Sequence, residues 1–176
     1  MTLNLTNGNN TTVSPFVDVE TATMLAYQYK VGANTENTSS YVSKTIELAE
    51  NLDAEDFIIY TTTYRPVNTT VNVYIKVQHA SDPVSIELND WIKLELIDGS
   101  ELYSSTSNLN NFKEFVYKVP DSEKVGGVLT YSNSSGEYSG YRRFAVKIEF
   151  IVDEVGGRIP IGSVPRLLDY RGIALT

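Results

Sequence analysis

The chain has 176 residues, no cysteine, a formal net charge of −8 and a pI near 4.6. Without cysteine there are no disulfides or thiolate metal sites, and the acidic balance argues against nucleic acid or an anionic membrane surface, whose binding draws on Lys and Arg. One domain of this length buries about 70% of the surface its unfolded chain exposes, so a core forms without staples.

Residues 1–14 are rich in Asn, Thr and Gly, with little apolar surface to offset ordering entropy. They read as an N-terminal arm, mobile or ordered on a neighbouring subunit, ahead of a single domain over 15–176. Phe16–Val19 is a short predicted strand, and Leu25, Tyr27, Tyr29 and Val31 alternate with the two-residue period of another. Val42, Ile46 and Leu48 are expected on one side of a strand over 41–48, followed by an acidic turn at 50–56. Phe57, Ile59, Thr61 and Thr63 alternate with Ile58, Tyr60, Thr62 and Tyr64, and Arg65-Pro66-Val67-Asn68 is a turn. Val71, Val73, Ile75 and Val77 then face one way, and Asn72, Tyr74 and Lys76 the other.

After the Asp82-Pro83 loop, Trp91 opens a run with Ile92, Leu94 and Leu96 on one face, closed by Asp98-Gly99. Phe115, Tyr117 and Val119 mark a further strand, and 128–131 a short apolar stretch within a Gly/Ser-rich region. Phe144, Val146, Ile148, Phe150 and Val152 form the second strongly alternating strand. A turn at Gly156-Gly157 leads to an extended segment over 164–175. No window sustains a 3.6-residue period; a turn of helix is allowed only near 20–26 or 50–56. Many strands without intervening helices predict an all-β domain, an antiparallel β-sandwich or jelly roll.

Chemistry leaves few marks. His79 is the one histidine, too few for a His-rich metal site, and no Gly-x-Ser-x-Gly elbow or phosphate-binding glycine loop accompanies it. Glu47, Glu50, Asp53, Glu55 and Asp56 cluster in sequence but lack the spacing of an EF-hand, so a solvated turn competes with a Ca²⁺ site. Trp91, Tyr131, Tyr138 and Tyr141, with Tyr103, are candidates for a sugar-stacking or interface platform, set against the ordinary role of such rings in a core. No catalytic residue, cofactor or metal is expected. No apolar run approaches the roughly 20 residues of a membrane-spanning helix, and Met1–Asn7 carries no secretion signal.

Four ordered segments carry a resemblance. They are 14–19 (Ser-Pro-Phe-Val-Asp-Val); 41–48 (Tyr-Val-Ser-Lys-Thr-Ile-Glu-Leu); Tyr64-Arg65-Pro66 with 71–77; and 143–148 leading to 164–175, which contains Pro165-Arg166-Leu167-Leu168-Asp169-Tyr170-Arg171-Gly172. With Trp91 after the Asp82-Pro83 loop, they resemble the β-sandwich module of virion structural proteins of tailed phages, especially cyanophages with contractile tails. The resemblance spans about residues 14–175. It implies a non-enzymatic component of the virion, made in the host cytoplasm. Its place would be the tail, baseplate or fibre attachment, with capsid decoration or a head fibre as an alternative.

The resemblance implies other virion proteins as partners, a homo-oligomer of symmetry-related copies, and no catalytic residues. A carbohydrate-binding module for host surface glycan is the competing class. Within the motifs, Pro66 is expected to end one strand, since it has no N–H to donate, and Arg65 to pair with an acidic turn. Leu168, Ile173 and Leu175 are expected to pack on the sandwich, with Arg166, Asp169 and Arg171 as an ion-pair cluster at its edge.

Overall fold

The computed structural model describes residues 37–153 and 164–176. The predicted arm over 1–14, the strands near 16–19 and 25–31, the helical turn near 20–26 and the Gly156-Gly157 turn lie outside the described residues. Two antiparallel sheets carry the fold. The first holds β1 (Asn37–Val42), β2 (Ile46–Glu47), β4 (Thr69–Gln78), β5 (Ile92–Lys93) and β11 (Arg143–Val152), in the order β1-β11-β4-β5, with β2 also on β11. The second holds β3 (Asp56–Tyr64), β6 (Glu95–Asp98), β7 (Lys113–Lys118) and β12 (Arg166–Leu175), in the order β12-β3-β7-β6. A small third sheet joins β8 (Lys124–Val125), β9 (Val128–Asn133) and β10 (Gly136–Ser139). The expected β-sandwich is the observed architecture, and no α-helix occurs among the described residues.

The alternation explains the layers. Phe57 and Ile59 of β3, Val71, Val73, Ile75 and Val77 of β4, Phe115 and Tyr117 of β7, and Phe144, Val146, Ile148 and Phe150 of β11 are buried in one core. The β4–β11 register sets Val73 beside Ile148 and Ile75 beside Val146. Each such side chain contributes about 1.5–3 kcal/mol on full burial. A one-residue slip would turn the whole row to solvent, which fixes the pairing. Thr61 and Thr63 occupy the same inward row, and their Oγ1 atoms are buried without a hydrogen-bond partner.

The turn after β3 follows its sequence. Strand pairing stops at Tyr64, Asn68 takes a left-handed φ of 64°, and the Thr69 hydroxyl donates to the Pro66 carbonyl at 2.7 Å. Gly99, at φ 91°, closes β6 where a Cβ would lie 2.8 Å from the Phe115 ring.

Three expectations need correction. The segment 41–48 is two short strands, because Ser43 interrupts it: the Ser43 N–H donates to the Val146 carbonyl and its Oγ accepts from the Val146 N–H, at 2.8 and 2.9 Å. Val42 and Ile46 consequently face solvent, while Tyr41 and Leu48 pack against the core. The run after Trp91 is also divided, with Ile92 in β5 of one sheet and Leu96 in β6 of the other.

The third concerns the C-terminal strand. A bulge between Leu167 and Asp169 adds one residue against β3 and reverses the alternation. Leu167 is 3% exposed, and after the bulge Tyr170 and Ala174 pack on the core, whereas Ile173 and Leu175 are 45% and 37% exposed. Leu168 is only half-buried, displaced from the core row by the same insertion. Gly172 sits in the inward row, where an added Cβ would meet the Phe57 ring at 2.7 Å. The turn at 50–56 is not helical; Asn51 takes φ 67° and the Leu52 N–H bonds the Ala49 carbonyl.

Candidate functional site

The aromatic candidates divide among four places. Tyr141 is fully buried in the core, edge-on to Phe144, with its hydroxyl donating to the Asp56 carbonyl at 2.9 Å. It is therefore no ligand platform: the left-handed Gly140 and the backbone bridge from Tyr141 to Ala54 turn the ring inward. Burial, with the Asp56 carboxylate adding to it, pushes its phenol well above the ordinary tyrosine range.

Tyr131 and Tyr138 do come together, as cross-strand partners of the β9–β10 hairpin. Their rings stack at 5.5 Å, and the His79 ring stacks on Tyr138 at 5.8 Å. Beneath them lies Asp82, the centre of the densest polar network in the described residues and 6% exposed. Its carboxylate accepts hydrogen bonds from Tyr131 Oη and Asn133 Nδ2, both at 2.7 Å, and from the Val84 N–H at 2.9 Å. Asn89 Nδ2 and Ser135 Oγ add longer bonds, both 3.3 Å.

The local sequence accounts for the arrangement. Asp82-Pro83 forms an Asx turn onto Val84, and β4 ends just before it with Gln78 Nε2 donating to the carbonyls of Asp82 and Val84. Burial alone would raise the Asp82 carboxyl. The bonds from Tyr131, Val84, Asn89 and Asn133 outweigh it and hold the group below the usual carboxylate range. Sequence reading marked Asp82-Pro83 only as a loop; the partners come from positions about 50 residues apart, which no local pattern displays. The network locks the β4–β5 connection to the third sheet. Its carboxylate lone pairs are occupied by protein donors, and the Tyr138 ring stacks against both Tyr131 and His79.

Trp91 lies elsewhere, half-buried on the outer face of the first sheet. Lys76 Nζ and Lys147 Nζ stand 4.9 and 5.4 Å from its ring centroid, and Lys147 Nζ is 4.0 Å from the Tyr74 ring. Tyr74 Oη donates to Glu149 at 2.9 Å, and the Lys147 ammonium is 4.0 Å from the same carboxylate. Burial first, then Glu149, pushes the Tyr74 phenol up to about 12. The patch is a polar–aromatic surface of alternating outward side chains, with an indole partly open to solvent.

The remaining predicted residues have different partners from those expected. Arg65 makes no ion pair with an acidic turn. Its guanidinium packs over the rings of Tyr103 and Phe115, 4.9 and 5.3 Å from their centroids, because Tyr103 and Phe115 flank the end of β3. Arg166 and Arg171 do not cluster with Asp169. The bulge and twist of β12 separate them: Arg166 lies over Tyr64 and bonds the Leu109 carbonyl, Arg171 pairs with Glu114 at 3.2 Å, and Asp169 is exposed. The acidic run does not converge on a cation site either. Glu47, Asp53 and Asp56 turn to Arg143, Arg142 and Lys124 at 3.1, 3.0 and 2.7 Å. No group of three or more His, Asp or Glu able to hold a metal ion occurs among the described residues.

Comparison of the chain with protein-family models, with curated proteins and with solved structures returns no match.

Proposed function

We propose that the protein is a non-enzymatic structural component of a tailed-phage virion, placed at the tail, baseplate or a fibre attachment and acting through protein–protein assembly. The reading rests on the ordered motifs that resemble the phage β-sandwich module. One observation carries it furthest: the motifs within the described residues supply the framework of the sandwich rather than a cavity. Tyr64-Arg65-Pro66 ends β3, the 71–77 row fills β4, the 143–148 segment starts β11, and 166–175 forms β12.

Assembly physics agrees with this reading. β12 is ten residues long and pairs with β3 on one side only among the described residues. It presents Ile173 and Leu175 to solvent. A long edge with exposed apolar side chains is a surface that subunits cover in assemblies. The test is to raise antibodies against the protein and probe purified particles, together with the mass of the purified chain in solution. Presence in particles and a defined oligomer are expected; an obligate monomer absent from particles refutes the reading. Capsid decoration remains the alternative position for the same module, and labelling on the head rather than the tail selects it.

The half-open indole of Trp91 favours a second reading, glycan binding on the outer face of the first sheet. Sugar rings stack on such faces, although Lys76 and Lys147 already compete for this one. Glycan-array binding that is lost in Trp91→Ala would support it.

A further inference from the structure

Trp91 is the only tryptophan of the chain, and it stands among lysines on the outer face of the first sheet. Strand pairing explains the company it keeps. Tyr74 of β4 is directly opposite Lys93 of β5 on one side and Lys147 of β11 on the other, so the three side chains share one face. Lys76, two residues beyond Tyr74 on the same strand, shares it too. The protein carries a net charge of −8, yet three ammonium groups and two aromatic rings gather here.

The chain itself uses little of this charge. Lys93 is exposed and forms no ion pair among the described residues. Lys76 gives one of the three N–H groups of its ammonium to the Glu87 carbonyl, at 2.9 Å, while the Glu87 carboxylate turns to Ser85. Lys147 is 4.0 Å from Glu149, beyond hydrogen-bond reach, and the other oxygen of that carboxylate already accepts from Tyr74 Oη. Lys76 and Lys147 stand 4.9 and 5.4 Å from the Trp91 centroid, near the outer limit of about 6 Å for a cation on a ring. A neutral sugar stacking on the indole has to displace them. A sugar bearing a carboxylate holds them instead, as charge-assisted partners at the rim of the ring. Lys93 and Lys147 also lie two strand spacings apart, roughly 10 Å at Cα. Charges repeated along a chain match that spread better than one ion does.

We propose that this face binds an acidic polysaccharide, a chain of carboxylate-bearing sugar rings. One ring stacks on the open part of Trp91, and carboxylates on it and its neighbours pair with Lys76, Lys93 and Lys147. The proposal rests on the glycan reading of Trp91 and adds to it the chemical class of the glycan.

With a single indole in the chain, intrinsic tryptophan fluorescence reads this face alone. The probes are tetragalacturonate and its methyl ester, which has the same rings without the charge. The acid is expected to shift the emission saturably, with a Kd at least about tenfold below that of the ester. Salt at about 1 M, where the screening length is about 3 Å, should remove most of that difference. Lys93→Gln should weaken the acid about threefold with Tm unchanged, because Lys93 is exposed and supports no packing. Lys147→Gln should do the same, although Lys147 also rests on Tyr74, so the Lys93 variant decides. Trp91→Ala, followed by calorimetry, should abolish binding. Equal affinity for acid and ester, or unchanged affinity in Lys93→Gln, overturns the proposal and leaves the glycan reading standing. No response to either probe overturns it as well, and the glycan array then decides that reading separately. The same shift from monomeric galacturonate at equal carboxylate concentration, or tighter binding of oligothymidylate than of tetragalacturonate, would also sink it, in favour of a simple ion site or a nucleic-acid surface.

Discussion

Gly172 offers the sharpest test of the packing. Alanine ordinarily stabilises a strand relative to glycine by about 0.5–1 kcal/mol through the entropy of the unfolded chain. Here the added Cβ would stand 2.7 Å from Phe57 Cζ and 3.0 Å from Cε2, well inside contact distance. The Phe57 ring is fully buried and already in contact with Phe144, centroids 5.3 Å apart, so it has little room to retreat. Overpacking of this kind costs about 1–3 kcal/mol, which exceeds the backbone gain. Gly172→Ala should therefore lose a net ~1–2 kcal/mol, a fall of about 2–8 °C in Tm for a domain of this size. Phe57→Leu alone should destabilise by leaving a cavity. Combined with Gly172→Ala, the smaller side chain makes room for the methyl, so the double variant should lose at least about 1 kcal/mol less than the sum of the singles. Urea unfolding of all four chains measures the cycle. A stabilised Gly172→Ala, or strictly additive losses, would refute the packing of β12 on Phe57.

Other outcomes follow from the same structure. Leu167→Ala should cost about 2–4 kcal/mol and Leu168→Ala under about 1, by urea denaturation, because the bulge gives the core position to the former. Thr61→Val should stabilise by about 1 kcal/mol, since it replaces a buried hydroxyl that has no partner with a methyl of the same shape. Asp82 titrates below its unfolded value, so its contribution is fully present above about pH 4 and fades as pH falls through the folded value. Asp82→Asn should thus lower stability at pH 7 and flatten the loss of stability as pH falls below about 4. At the alkaline end, burial pushes Tyr117 up to about 12. The stability that its neutral phenol contributes is complete below about pH 10 and lost as pH rises above it, which ultraviolet titration of phenolate formation follows.

Much of the sandwich was legible in the sequence because strands encode their buried face locally. The rows at Val71–Val77 and Phe144–Phe150 keep a two-residue period, and burial follows it at every position but Ala145, which is buried between its neighbours. Turn chemistry was equally local at Arg65-Pro66-Val67-Asn68 and Asp98-Gly99. Where the period slipped, the reading failed. Nothing in Leu167-Leu168-Asp169 announces an extra residue, since a bulge is set by pairing with β3 rather than by propensity.

Sites were less legible than strands, for the same reason. Tyr131, Tyr138 and Tyr141 look alike in a list of exposed-loop aromatics, but hairpin register stacks two of them above Asp82 and a left-handed glycine buries the third. The sequence alone determined that this is a cysteine-free, acidic, all-β chain whose apolar side chains line two faces of a core. Tertiary structure decided which residues meet: the five donors on Asp82, the lysines around Trp91 and the guanidinium of Arg65 over the rings of Tyr103 and Phe115. Those meetings join residues far apart in the chain. They depend on strand order and register, which alternation within a single strand does not encode.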